Sequence, residues 1–136
     1  MELFQVHPSQ IDRAWRDGAS RLAEACKWAS REITPDQLKM LLSMGERILL
    51  GAKEGDEIKG WAAVQVQQLP NLRVLYIFAL QGNGVASAEG MTLLKDYAKA
   101  HGCSTIRGAV RASMARMLRI RFGAKPIYQT IEMEAT

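Results

Sequence analysis

The run Leu72-Arg73-Val74-Leu75-Tyr76-Ile77-Phe78-Ala79-Leu80, followed by Gln81-Gly82-Asn83-Gly84-Val85-Ala86 and then Ser87, decides how the rest of the 136-residue chain is read. After Arg73 the first stretch is apolar on both faces, the pattern of a central strand covered on both sides. The second stretch breaks that pattern with two glycines. Ser87 then serves as N-cap of a helix that buries Met91, Leu94 and Ala98 and stops at His101-Gly102. The first amides of a helix are unpaired and carry about half a positive charge, and glycines ahead of them let backbone approach an anion without a Cβ in the way. The loop has no lysine followed by Ser or Thr, and Ser87 stands where a Gly-x-Gly-x-x-Gly fingerprint needs its third glycine, so both common nucleotide loops are excluded. An ordinary strand-to-helix turn is the other reading of the same residues.

Upstream, Leu3 to Val6 reads as a short strand stopped by Pro8, with Ser9 as the next N-cap and Asp12 three residues on. Ile11, Trp15, Gly18, Leu22, Ala25, Cys26 and Ala29 recur at helical spacing, predicting one or two helices to about Ser30 with a break at Gly18. Thr34-Pro35-Asp36-Gln37 combines an N-cap, a first-turn proline and a capping-box glutamine, and opens a helix carrying Leu38, Leu41 and Leu42 that ends at Gly45. Arg47 to Ala52, Ile58 to Leu69 and Leu72 to Leu80 are strands separated by tight polar turns, which implies an antiparallel meander. Downstream come a strand from Thr105 to Val110 and a helix from Ser113 to Phe122 with Met114, Met117 and Leu118, closed by Gly123. Pro126 to Glu134 then alternates Ile127, Gln129, Ile131 and Met133 with Tyr128, Thr130 and Glu132, the pattern of a final strand. The order β-α-α-β-β-β-α-β-α-β predicts an α/β fold, a central mixed sheet with helices on both faces, in a single domain over residues 1–136.

Composition narrows the class. The chain is 48% apolar and 24% charged, normal for a globular protein. No apolar run reaches the roughly 18–20 residues that span a bilayer, and the start at Met1-Glu2-Leu3-Phe4-Gln5 lacks a signal-peptide pattern. A soluble, cytoplasmic protein is expected. Cys26 and Cys103 are too few for a disulfide framework or a four-ligand zinc site and read as buried small hydrophobes; no metal is expected. The net charge is +4, but between Tyr97 and Ile131 there is no acid and there are seven bases: Lys99, Arg107, Arg111, Arg116, Arg119, Arg121 and Lys125. That imbalance is either a surface that meets an anion, such as a phosphorylated small molecule or an acidic protein partner, or a solvated helix face. Nucleic acid is disfavoured because exposed aromatics do not interleave the bases.

Joined to the element order, the Gln81–Ala86 loop resembles that of the GNAT superfamily of N-acetyltransferases, in feel closest to compact GNAT-like proteins encoded by bacteriophages. The resemblance covers nearly the whole chain in architecture and rests in motifs on two stretches. The family's loop is Gln/Arg-x-x-Gly-x-Gly/Ala, and Gln81, Gly84 and Ala86 fit it, without the common second basic residue. Ala115 to Ala124 is similar to the family's last helix and its Gly-Phe turn, with Ala124 in place of the phenylalanine. The resemblance implies that acetyl-CoA is held by Phe78, Ala79, Leu80, Gln81, Gly82, Asn83, Gly84, Val85 and Ala86, with Arg116 or Arg119 on the nucleotide phosphate. It also implies direct transfer of an acetyl group to the amine of a small molecule or a protein.

The proton chemistry is less legible. The family often has a tyrosine general acid four residues before Gly123, and Arg119 stands there. The strand before the loop offers no carboxylate. Glu132 and Glu134 read as exposed edge residues, His101 as a helix C-terminal residue, His7 as a residue fixed before a proline, and Tyr76 and Tyr128 as rim packing. Trp15, Trp28 and Trp61 read as core. No catalytic residue is therefore named, and a second expectation stands beside the transferase: a GNAT-fold protein without acetyltransferase activity, acting as a phage virion component or as a binding modulator of a host protein in the host cytoplasm.

Overall fold

Residue-by-residue alternation along the strands sets both faces of the sheet. In the computed structural model, which describes residues 1–27 and 32–136, five strands form one sheet: β1 (Glu2–Val6), β2 (Ile48–Glu54), β3 (Glu57–Leu69), β4 (Leu72–Gln81) and β5 (Thr105–Gly108), in that spatial order. The first four pair antiparallel in sequence, and β5 runs parallel to β4. Two short helices, α1 (Ile11–Arg16) and α2 (Ala23–Cys26), precede α3 (Pro35–Ser43); α4 (Ala88–Ala100) makes the crossover from β4 to β5, and α5 (Ala112–Phe122) follows β5. The mixed α/β architecture expected from the sequence is the one observed.

Leu49, Trp61, Ala63 and Ala79 point to one face and pack with Ile11, Ala14, Leu22, Leu38 and Leu42 of the α1–α3 layer. Their chain neighbours Leu50, Ala62, Val64 and Leu80 point to the other, where Met91, Leu94 and Ala98 of α4 cover them and Leu118 and Phe122 of α5 pack at the margin. Each fully buried Leu, Ile or Val in these clusters contributes about 1.5–3 kcal/mol.

The helix ends follow their sequence signals. Gln37 donates its backbone N–H to Thr34 Oγ1 at 3.2 Å, and Thr34 donates its own to Gln37 Oε1 at 2.9 Å, a closed capping box. Gly18 breaks the first helical stretch at φ +132°, where a side chain is strained, and Ala19–Leu22 forms a turn of 3-10 helix before α2. Gly123 ends α5 in the left-handed conformation, φ +69°.

Three expectations are corrected. Ser9 is not the first cap: His7 Nδ1 accepts the Ser9 N–H at 3.1 Å, and Pro8–Gln10 forms a 3-10 turn ahead of α1, because a proline at its first position starts the turn one residue early. The strand expected to reach Val110 stops at Gly108, and Ala109 and Val110 are exposed. Pro126–Glu134 forms no strand. Its alternation is intact, but β-propensity expresses itself only against a partner, and β5 offers four residues of edge to a nine-residue segment. Ile131 and Met133 are 80% and 84% exposed as a result. The expected helical residues Trp28, Ala29 and Ser30 lie outside the described residues.

Two measurements check this account. Thr34→Ala should lower stability by about 1 kcal/mol in urea unfolding, through loss of the reciprocal cap. Deleting residues 126–136 should change stability by no more than about 0.5 kcal/mol, as for surface residues; loss of a paired strand would cost several times that.

Candidate functional site

β4 and β5 part company part-way along. β5 pairs with Val74 to Ile77 only, whereas β4 continues to Gln81. Gly108, the last residue of β5, passes so close to Ile77 that a Cβ there would stand 3.1 Å from the Ile77 carbonyl oxygen. Beyond this point Phe78, Ala79 and Leu80 stay beside β3 on one edge and face no strand on the other. Among the described residues their backbone makes no hydrogen bond outside the strand ladders.

The β3 side of the same segment is irregular. Val64 stands opposite Ile77 and Ala63 opposite Ala79, so Phe78 is an extra residue in β4. This bulge turns Phe78 and Ala79 both toward the α1–α3 face, while Ile77 and Leu80 face α4 and α5. Bulges re-aim a strand and concentrate beside functional sites. The continuous apolarity of Tyr76 to Leu80 hid it from the sequence, since a strand buried on both faces has no alternation to break.

The loop after β4 is held against β3. Gly84 donates its N–H to the Lys59 carbonyl at 3.1 Å, and a Cβ on Gly84 would strike Lys59. Gly82 adopts φ +89°, with a would-be Cβ 2.8 Å from the Gly60 Cα. Val85 is 1% exposed and belongs to the core over α4. Ser87 Oγ donates to the Gly84 carbonyl at 2.6 Å and accepts the Gly90 N–H at 3.0 Å. The Gly84 amide turns inward, away from any anion, because the loop must first close on Lys59–Gly60. Asn83 is exposed and Ala86 half-buried, and among the described residues their amides, with those of Ala88 and Glu89 in the first turn of α4, make no backbone hydrogen bond. Glu89 Oε1 lies 3.0 Å from the Met1 α-ammonium, and the carboxylate complements the helix dipole.

The charged and aromatic residues near the split come from three elements. The Arg47 guanidinium, at the entrance to β2, lies 3.5 Å from the centroid of the Phe78 ring, and Tyr76 meets the same ring at 4.8 Å. Burial pushes the Arg47 pKa down and the Cys26 thiol up. On α5, Arg116 and Arg119 are exposed and form no ion pair among the described residues. Arg119 accepts the Gly123 N–H through its carbonyl, as the helix C-terminus requires.

The remaining candidates are structural in their contacts. His101 Nδ1 bonds to the Tyr97 carbonyl at 2.9 Å with the two rings stacked, and Tyr97 donates its hydroxyl to Gln5 at 2.9 Å. Cys26 and Cys103 are buried free thiols. Trp61 is buried edge-on to Phe4, and Trp15 packs in the same cluster. Tyr128 and Glu134 lie in the exposed tail, as does Glu132. No group of three His, Cys, Asp or Glu among the described residues is placed to hold a metal, and none of the described helices is long and apolar enough to cross a membrane. A cleft of about 360 Å³ lined by residues such as Cys26, Ile33 and Pro35 shares no residue with the split or the loop.

No family model and no curated protein matches the sequence. Solved structures do match the fold. A ribosomal-protein-alanine N-acetyltransferase from Brucella melitensis biovar Abortus 2308 superposes with a TM-score of 0.70 at 16% identity, covering 98% of this chain and 99% of its own. A probable acetyltransferase gives 0.68 at 12% identity over 100% and 99%. An aminoglycoside acetyltransferase from an uncultured soil metagenomic sample, solved with sisomicin, gives 0.61 at 15% identity over 99% and 95%. The chain has the fold of GNAT-type acetyltransferases.

If Gly84 is required by its contact with Lys59, Gly84→Ala should destabilise the ligand-free protein by about 1–3 kcal/mol while Asn83→Ala stays within about 0.5 kcal/mol. Both cysteines should resist iodoacetamide at pH 7 until the protein is unfolded in urea, since each is buried and Cys26 is held as the neutral thiol.

Proposed function

We propose that this chain is an acetyl-CoA-dependent N-acyltransferase that passes an acetyl group directly from the thioester to an amine. The observation that carries the reading is the strand edge left open from Phe78 to Leu80. Open backbone of this kind binds an extended amide-bearing chain as it would a further strand, and the pantetheine arm of acetyl-CoA is such a chain. The residues present fit the rest of the molecule. Asn83, Ala86 and the free first-turn amides of α4 offer donors to the diphosphate, while Gly82, Gly84 and Val85 fix the loop on β3 and Gln81 leads into it. Arg116 or Arg119 supplies the nucleotide phosphate with a cation.

Acetyl-CoA brings an activated thioester, so the protein's task is to place an amine against it. The neutral amine nitrogen forms the new C–N bond, the C–S bond breaks, and the amine proton ends on the departing CoA thiol. The bulge at Phe78 re-aims backbone at the acyl end of the open edge, where a polarised carbonyl and close placement supply the rate. β4 itself carries no carboxylate and no histidine, so in this reading the ammonium form of the acceptor loses its proton to water.

A second reading, a GNAT-fold protein that binds without turnover and acts as a virion component or a modulator of a host protein, is favoured by Arg119 in the place of a tyrosine and by that lack of a base. Thermal unfolding separates the readings in order. Acetyl-CoA at 100 times its dissociation constant should stabilise the protein by about 2.7 kcal/mol, roughly a 10 °C rise in Tm. No rise at millimolar acetyl-CoA discards both the site and the transferase. A rise without free-thiol release over a panel of amines selects the second reading. For an active enzyme without its own base, kcat/KM should climb tenfold per pH unit up to the acceptor amine's own pKa and then level.

A further inference from the structure

On the α1–α3 face of the bulge two aromatic rings, Phe78 and Tyr76, come together with Arg47, and Arg107 stands beside Tyr76. Arg47 lies flat on Phe78 and is half-buried. Among the described residues its guanidinium enters no ion pair and donates no hydrogen bond. Glu46, its chain neighbour, is exposed and makes no ion pair with it, acting on the guanidinium only as a nearby charge. Tyr76 adds a second aromatic ring, and Arg107 of β5 stands beside Tyr76 in the parallel ladder, also without an ion pair among the described residues. Gln65, opposite Tyr76 on β3, donates to the Glu46 carbonyl.

A guanidinium stacked on a ring has its flat face satisfied and its N–H edges open, the arrangement that receives a carboxylate through two parallel hydrogen bonds. A half-buried guanidinium without a protein acceptor keeps its donors on water, which a ligand's carboxylate can replace. Arg47 lies directly over the bulge residue, so an amine that approaches an acyl group there from the α1–α3 side meets its guanidinium. Resting on the transferase reading, we infer that the acceptor is an amine that also carries a carboxylate, an amino-acid-like molecule, whose carboxylate is bound by Arg47 over Phe78. Polycationic amines are disfavoured at this site, because Arg47 and Arg107 outweigh the one neighbouring carboxylate, Glu46.

The test compares L-leucine with L-leucinamide, and both with the polyamine spermidine, as acceptors. Leucinamide's amine gives up its proton more readily than leucine's, so at pH 7 a preference for leucine does not come from the supply of free amine. The wild-type protein should favour leucine by about 10- to 100-fold in kcat/KM, the range of a hydrogen bond to a charged group. Arg47→Met should erase that preference through KM for leucine, and Arg47→Lys should restore part of it. Leucine binding is measured separately without acetyl-CoA, by NMR titration of wild type and Arg47→Met. Leucine shifts confined to wild type, with no acyl transfer, uphold the carboxylate site and overturn the transferase. Transfer to spermidine or leucinamide equal to or faster than transfer to leucine overturns the carboxylate site and upholds the transferase. Neither binding nor transfer overturns both.

Discussion

A parallel strand pair that separates after four residues imposes a requirement on the backbone beyond it. Buried amides and carbonyls are almost always paired, and a donor or acceptor left alone costs about 1–3 kcal/mol. β4 continues past Ile77 while β5 ends at Gly108, so the edge at Phe78, Ala79 and Leu80 must bond to water or to a guest. Other features of the molecule can be traced to that split. The bulge at Phe78 bends β4 where its neighbour leaves it, and the loop from Gln81 folds back onto Lys59–Gly60 so that α4 starts at the head of the open edge. The five-stranded sheet and its two helical layers act as a frame that holds this one gap.

How much of this was readable in the sequence follows from where each signal is encoded. Local rules sufficed for α3, whose Thr34 and Gln37 cap each other within four residues, and for α4, capped by Ser87. The meander was readable because its turns are short and polar and its strands are strongly apolar. The final strand was not, because alternation from Ile127 to Met133 states only what the segment would bury if a partner existed, and the partner edge is set by where β5 stops. The bulge and the inward turn of the Gly84 amide depend on contacts between β3 and β4, some 20 residues apart. A glycine required by a neighbouring carbonyl and one required by a ligand look alike in a sequence. His7 as a cap was missed for a related reason: Pro8 moves the turn forward and leaves Ser9 inside it.

Charge and geometry also part company. The seven bases between Tyr97 and Ile131 are the most conspicuous feature of the sequence, yet the cation that sits on the bulge is Arg47, from the middle of the chain. It is distinguished by position rather than by local density of charge. The exposed arginines of α5 suit a phosphate at the rim, where long-range attraction matters and exact placement does not. Arg47, stacked and partly withdrawn from water, suits recognition of one carboxylate at a fixed place.

The central claim is that Phe78, Ala79 and Leu80 present unpaired backbone to a bound thioester chain. Amide hydrogen exchange at these residues, with and without acetyl-CoA, measures it directly. Those of their amides that face the opening should exchange rapidly in the free protein and become strongly protected when acetyl-CoA is added, while Val74 to Ile77 stay protected throughout. Full protection of Phe78–Leu80 in the free protein, or no change on adding acetyl-CoA, would contradict the account.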